Sequence, residues 1–186
     1  MNLCLISSAQ MAEGYRSSGQ VFTSLERGSA GEDELGLKLE KRVIQAIKFT
    51  AQRRSVDFKQ AEKLLVNNDL KCHATFRYGL AKKVSKDLGM MSSKIEEIYL
   101  HGSSTQLNAS INSDIDMIIS LTEKPHGASF FFAYFNLLLT RSYKKIMYPQ
   151  AEKMHRLLDI QLVNRENPVQ RNKRYPHYNS LSIYRR

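Results

Sequence analysis

From Lys38 onward apolar positions recur at helical spacing, with Leu39, Val43, Ala46 and Ile47 on one stripe that Thr50 continues. The same period returns at Phe58, Ala61, Leu64 and Leu65, after an interruption at Arg53-Arg54-Ser55. Two amphipathic helices are predicted there. A third is predicted from Ala74 to Leu88, where Phe76, Leu80, Val84 and Leu88 align and Gly89 serves as a stop signal. At Ile95 the period shortens. Ile98-Tyr99-Leu100 reads as a buried strand that runs into a glycine turn at His101-Gly102-Ser103, with Ser104 to Leu107 as the first turn of a short helix. Asp114 to Ile119 reads as a second strand, closed by the turn Glu123 to Gly127. Ser129 to Lys144 reads as an aromatic-rich helix whose phenylalanines fill the core, and Leu157 to Val163 as a further strand.

The flanks lack this order. Residues 1–37 are rich in Ser, Gly and Gln, carry a soft break at Gly28 to Gly31, and read as a flexible leader. Beyond Val163, Pro168 and Pro176 break up a basic tail. The expected organisation is therefore a leader (1–37), a helical region (38–90), an α/β (α+β) unit with a small mixed sheet (91–165) and a tail (166–186). No internal repeat is present.

Composition narrows the class of protein. With 42% hydrophobic and 25% charged residues, neither general disorder nor a membrane protein is expected. The longest apolar run, Ala128 to Leu139, falls short of the roughly 20 residues needed to span a bilayer. Residues 3–6 are apolar but have no basic residue ahead of them, so no secretory signal is expected. Cys4 and Cys72 are far apart with no metal-ligand spacing, which fits free thiols in a reducing, cytoplasmic compartment. The net charge of +10 favours phosphate-rich partners. Most of the excess lies beyond Thr140, where only Glu152, Asp159 and Glu166 oppose the basic residues. A solvated surface that merely aids solubility is the plainer explanation of the same charge.

Alternation along a strand puts Asp114 and Asp116 on one face while Ile115 and Met117 point into the core. Like charges so close raise each other's pKa, a cost that a divalent cation offsets. Asp159 alternates likewise between Leu158 and Ile160. Three carboxylates on neighbouring strands suit magnesium, or manganese, which prefer oxygen ligands. Glycine at position 102 lets backbone approach a phosphate closely, and Ser103 adds a hydroxyl donor.

This order of strand, Gly-Ser turn, Asp-x-Asp strand and distant third aspartate resembles the DNA polymerase beta nucleotidyltransferase superfamily. The matching residues are Leu100-His101-Gly102-Ser103, Ser113 to Ile119 and Leu158-Asp159-Ile160. With Ser113 ahead of Asp114, the spacing is closest to that of noncanonical poly(A) polymerases. The resemblance spans Ile95 to Val163 and implies a nucleotidyltransferase palm. It implies that Gly102 and Ser103 contact the terminal phosphates of a nucleoside triphosphate and that Asp114, Asp116 and Asp159 hold the metals. Asp159 would also help deprotonate the attacking hydroxyl.

One departure is that Ser104 to Asn108 lacks the second glycine and the arginine often seen after the Gly-Ser pair. Another is that the stretch after Asp159 is too short for the helical domain that follows the palm in tailing polymerases. Base and acceptor would then fall to the N-terminal helices, the tail or a second subunit of a homodimer. RNA is the favoured acceptor. The tail residues Arg171, Lys173 and Arg174, in a basic stretch interleaved with Tyr175, Tyr178 and Tyr184, are the candidate RNA contacts. Transfer to a protein or small molecule, and a non-catalytic RNA-binding module of the same fold, are the alternatives.

Overall fold

The computed structural model describes residues 28–123, 127–147, 150–164 and 180–186. Among these are four α-helices, α1 (Gly28–Arg54), α2 (Phe58–Val66), α3 (Leu70–Met91) and α4 (Ala128–Met147). They accompany four strands, β1 (Ile95–His101), β2 (Ile115–Leu121), β3 (Leu158–Asn164) and β4 (Leu181–Arg185). The strands form one mixed sheet in the order β3-β2-β1-β4. β1 is antiparallel to both β2 and β4, and β2 is parallel to β3 through α4. No helix among the described residues is long and apolar enough to cross a membrane.

Register explains the layers. Leu100 pairs with Met117, Ile98 with Ile119, Ile95 with Leu121, and Ile115 with Leu158. All eight are buried and belong to the main core. Ile95 and Ile98 can share that face because the register shifts between Ile95 and Glu97, a bulge that absorbs one residue. The core is completed by α3 against β1 and β4, by α4 against β3, and by α1 laid across α3 and α4. Phe131, Phe132 and Phe135 of α4 are buried as their pattern predicts, whereas Phe130 is exposed.

Several boundaries differ from the sequence expectation; α3, for one, begins at Leu70 rather than Ala74, with Asp69 as its cap. α1 starts at Gly28, ahead of Lys38, so the last part of the expected leader is helical. Its glycines have weak helix preference, but Leu35 and Leu39 are buried and tie the segment to the core. Gly89 does not stop α3, which continues to Met91. A Cβ at Gly89 would lie 2.1 Å from Cζ of Tyr184, so its role is to admit that ring. The far end of the basic tail is strand β4, whose Arg185 donates to Glu97 Oε1 at 2.7 Å and whose Ser182 donates to the same atom at 3.0 Å. Residues 1–27, with Cys4, and Arg171, Lys173 and Arg174 lie outside the described residues. Cys72 is buried and free.

Two buried polar groups fasten the helices. Asp87 of α3 takes a bidentate pair from Arg42 of α1 at 2.7 Å, with Lys38 at 3.3 Å. Burial would raise its pKa, but these cations hold the carboxyl below its usual range. His73 donates from Nε2 to the Leu65 carbonyl at 2.8 Å and receives Arg77 Nη1 on Nδ1 at 3.0 Å, which requires the neutral ring. Burial, helped by the Arg77 charge, pushes its pKa down from 6.5 to about 4. An unfolded His73 therefore takes up a proton at a higher pH than the folded one. The stability this contributes is complete above pH 6.5 and is lost as pH falls toward 4. Chemical denaturation at pH 7 and 4.5 is expected to show that acidification costs the parent on the order of 2 kcal/mol more than it costs His73→Gln. An equal loss in both would remove His73 as its source.

Candidate metal centre

Because β1 runs opposite to β2 and β3, the end of β1 meets the beginnings of the other two. His101, Asp116 and Asp159 consequently stand in one row across three strands. Asp114 immediately precedes β2. Carboxylate oxygens of Asp114, Asp116 and Asp159 all lie within 4.8 Å of one another.

The backbone that carries these carboxylates is held by residues far away in sequence. Arg77, fully buried on α3, donates from Nε and Nη2 to the Ser113 carbonyl at 2.9 and 2.7 Å, and from Nη2 to the Ile111 carbonyl at 3.0 Å. The Tyr143 hydroxyl donates to the same Ile111 carbonyl at 3.2 Å, and Asn68 Oδ1 accepts from the Ile111 amide at 2.7 Å. The Ser113 hydroxyl is used inside the loop, where it accepts from the Ser110 amide at 2.8 Å. On the other side of the site, Asn136 of α4 grips Leu158 at both backbone groups, accepting its amide at 2.9 Å and donating to its carbonyl at 2.8 Å. That grip fixes the start of β3 and with it Asp159.

The turn after β1 is tightly coupled to this cluster. Gly102 has φ +72° and begins a short 3-10 turn, Gly102–Ser104. A Cβ at residue 102 would sit 2.0 Å from Asp116 Oδ2. Glycine is needed there twice, for the left-handed backbone and for the approach of the carboxylate. Gly102→Ala is expected to cost at least about 1–2 kcal/mol of stability and to weaken Mn²⁺ binding by displacing Asp116. Melting and Mn²⁺ titration would measure both, and unchanged values would disconnect the turn from the cluster.

Electrostatics fit a cation. Burial first, and then the charges of Asp114 and Asp159, push the Asp116 pKa up from 3.8 to about 6. Arg156 opposes this: its Nη2 lies 3.2 Å from Asp159 Oδ2 and 3.5 Å from Asp114 Oδ2. It is 57% exposed, so it offsets the crowding only in part. Burial also lowers the pKa of His101, and the Asp159 charge counters this. Three oxygen donors in this arrangement could hold a metal ion.

The sequence pattern singles out Gly102, Ser103, Asp114, Asp116 and Asp159, and these stand together at one end of the sheet. It does not single out Arg156, Arg77, Asn136 or Tyr143. Arg77 does carry a signal, since His73, Arg77, Leu80 and Val84 fall on one buried stripe of α3, where an arginine is out of place unless it bonds inward. Searches of protein-family models, curated proteins and solved structures return no match to this chain.

Proposed function

We propose that this protein is a metal-dependent nucleotidyltransferase with a polymerase beta-type palm, moving a nucleoside monophosphate from a nucleoside triphosphate to an acceptor hydroxyl, with RNA as the favoured acceptor. The observation that carries this reading is the convergence of Asp114, Asp116 and Asp159 to within 4.8 Å beside the Gly102-Ser103 turn. Magnesium or manganese bound there would supply Lewis-acid stabilisation of the phosphoryl oxygens and of the leaving pyrophosphate. Asp114, Asp116 and Asp159 would be its ligands, since carboxylate oxygens suit hard cations. Gly102 keeps backbone close to the cluster, and Ser103 offers a hydroxyl and an amide to an anionic ligand. Asp159, exposed enough to meet an acceptor, takes the proton of the attacking hydroxyl. The net charge of +10 favours an acceptor rich in phosphate.

A second reading, nucleotidylation of a protein or small molecule, draws on β4. Arg185 is engaged by Glu97 and Tyr184 packs on Gly89, so two tail residues of the kind that contact single-stranded RNA are committed to the fold. Incubation with each labelled nucleoside triphosphate, Mg²⁺ or Mn²⁺, total RNA and protein extract separates these readings. Label in RNA supports the first, and label in a protein band or metabolite the second. No transfer under any condition, with RNA binding that ignores metal, would leave a non-catalytic module.

A further inference from the structure

Beside the Gly102–Ser104 turn lies a cavity of about 350 Å³. That is at the lower end of the ~300–1,000 Å³ usual for small-molecule sites. Its lining includes Ser104 and Thr105, Phe49, Arg53 and Arg54 of α1, and Tyr78 of α3. The Phe49 and Tyr78 rings are half-buried, tilted at 44° with centroids 6.0 Å apart, and the Arg53 guanidinium sits 5.5 Å over Phe49. Neither Arg53 nor Arg54 forms an ion pair among the described residues. Asp69 is near Arg54, but its carboxylate is used to cap α3 through the Cys72 amide at 2.7 Å.

Two further observations point to a ligand. Ser104 is 3% exposed, and its hydroxyl has no hydrogen-bond partner among the described residues. Buried hydroxyls are rarely left so without one. Leu107 and Leu181, 56% and 46% exposed, add apolar surface to the same cavity. Aromatic and apolar surface, two cations that form no ion pair among the described residues and an unserved hydroxyl together suit a planar base that carries a phosphate.

We propose that this cavity binds one phosphorylated nucleoside, its phosphate on Arg53 and Arg54 and its base against Tyr78 and Phe49. The ligand is a nucleoside monophosphate unit, met either as a free mononucleotide or at the end of an RNA strand. Only its role as the acceptor's terminal unit rests on the transferase reading. Arg53 and Arg54 also supply cations near the Gly-Ser turn, where residues 104–108 have none.

The test uses the full chain and three probes: adenosine monophosphate, inorganic phosphate, and a labelled six-nucleotide single-stranded RNA followed by anisotropy. Arg53 and Arg54 are exposed, so the double variant Arg53→Gln/Arg54→Gln should fold. It is expected to weaken the mononucleotide, the RNA or both by roughly ten-fold, and Tyr78→Leu should do likewise through reduced stacking. For RNA the log–log salt slope should flatten by about 0.7 for each phosphate that is no longer neutralised. A loss confined to RNA identifies a strand end as the ligand, and a loss with both shows that a free nucleotide suffices. Mn²⁺ affinity at the carboxylates should not change. Unaltered affinity for both nucleotide probes would overturn the proposal, as would inorganic phosphate binding as tightly as the mononucleotide. Asp116→Asn should leave this binding intact, so loss of the transferase reading would be seen separately.

Discussion

Asp116→Asn is expected to abolish nucleotidyl transfer while making the protein more stable at neutral pH. The two effects have one cause. Asp116 is crowded by burial and by the charges of Asp114 and Asp159, so its carboxyl gives up its proton only near pH 6 rather than 3.8. Between those values the folded state binds more protons than the unfolded one, and stability falls as pH rises through the window. Above pH 6 the full cost is present; below 3.8 it is absent. Asn keeps the size and removes the charge. Allowing for solvent screening, the gain at pH 7 should be on the order of 1–2 kcal/mol, and it should vanish near pH ~3.5. Saturating Mn²⁺ should reverse the order, because the parent gains stability from the ion and the variant lacks one of its ligands. Melting curves at the two pH values, with and without Mn²⁺, measure this directly. Near-parental turnover in the variant would end the metal-site reading, and lower stability at pH 7 would end the crowding argument.

The second large effect belongs to a residue that never touches the carboxylates. Arg77→Met should cost about 3–5 kcal/mol, because it leaves the Ser113 carbonyl and the His73 ring without their buried donors and takes from the Ile111 carbonyl one of its two. Arg77→Lys should recover little of this, since one ammonium cannot reproduce a planar fork that serves three acceptors. Whatever folds should bind Mn²⁺ about 10- to 100-fold more weakly, as the residue before Asp114 is no longer anchored. Urea denaturation and Mn²⁺ titration read the two quantities. Parental values in both would mean that the loop before β2 holds Asp114 without help from α3.

That the aspartates are legible in the sequence and Arg77 is not has a physical explanation. Strand alternation is local, so Asp114, Asp116 and Asp159 announce a shared face, and glycine at 102 announces a turn. The shell that fixes them is assembled from residues 68, 77, 136 and 143, whose partners lie far off in sequence. Short-range periodicity says nothing about such pairs. In the sequence Arg156 is one more basic residue of a charged surface, although in the fold it reaches two of the three carboxylates. β4 is hidden differently. Its five residues follow a proline-containing basic stretch, and what makes them a strand is the edge of β1, with Glu97 waiting for Arg185. The start of α1 is obscured for the related reason that the burial of Leu35 outweighs the weak local preference of its neighbours.

The position of Arg156 would make cation uptake at the carboxylates an exchange. Its guanidinium already reaches both Asp114 and Asp159, so an ion arriving there would meet a tethered competitor whose local concentration does not fall on dilution. The exchange also has a mechanical side. Once released, Arg156 leaves the residue before Leu157, and hence the approach to β3, freer to move, and by reciprocity anything that draws Arg156 outward will tighten the ion. A polyanion docking beside the cluster would do that, making its arrival and the loading of the site mutually reinforcing events.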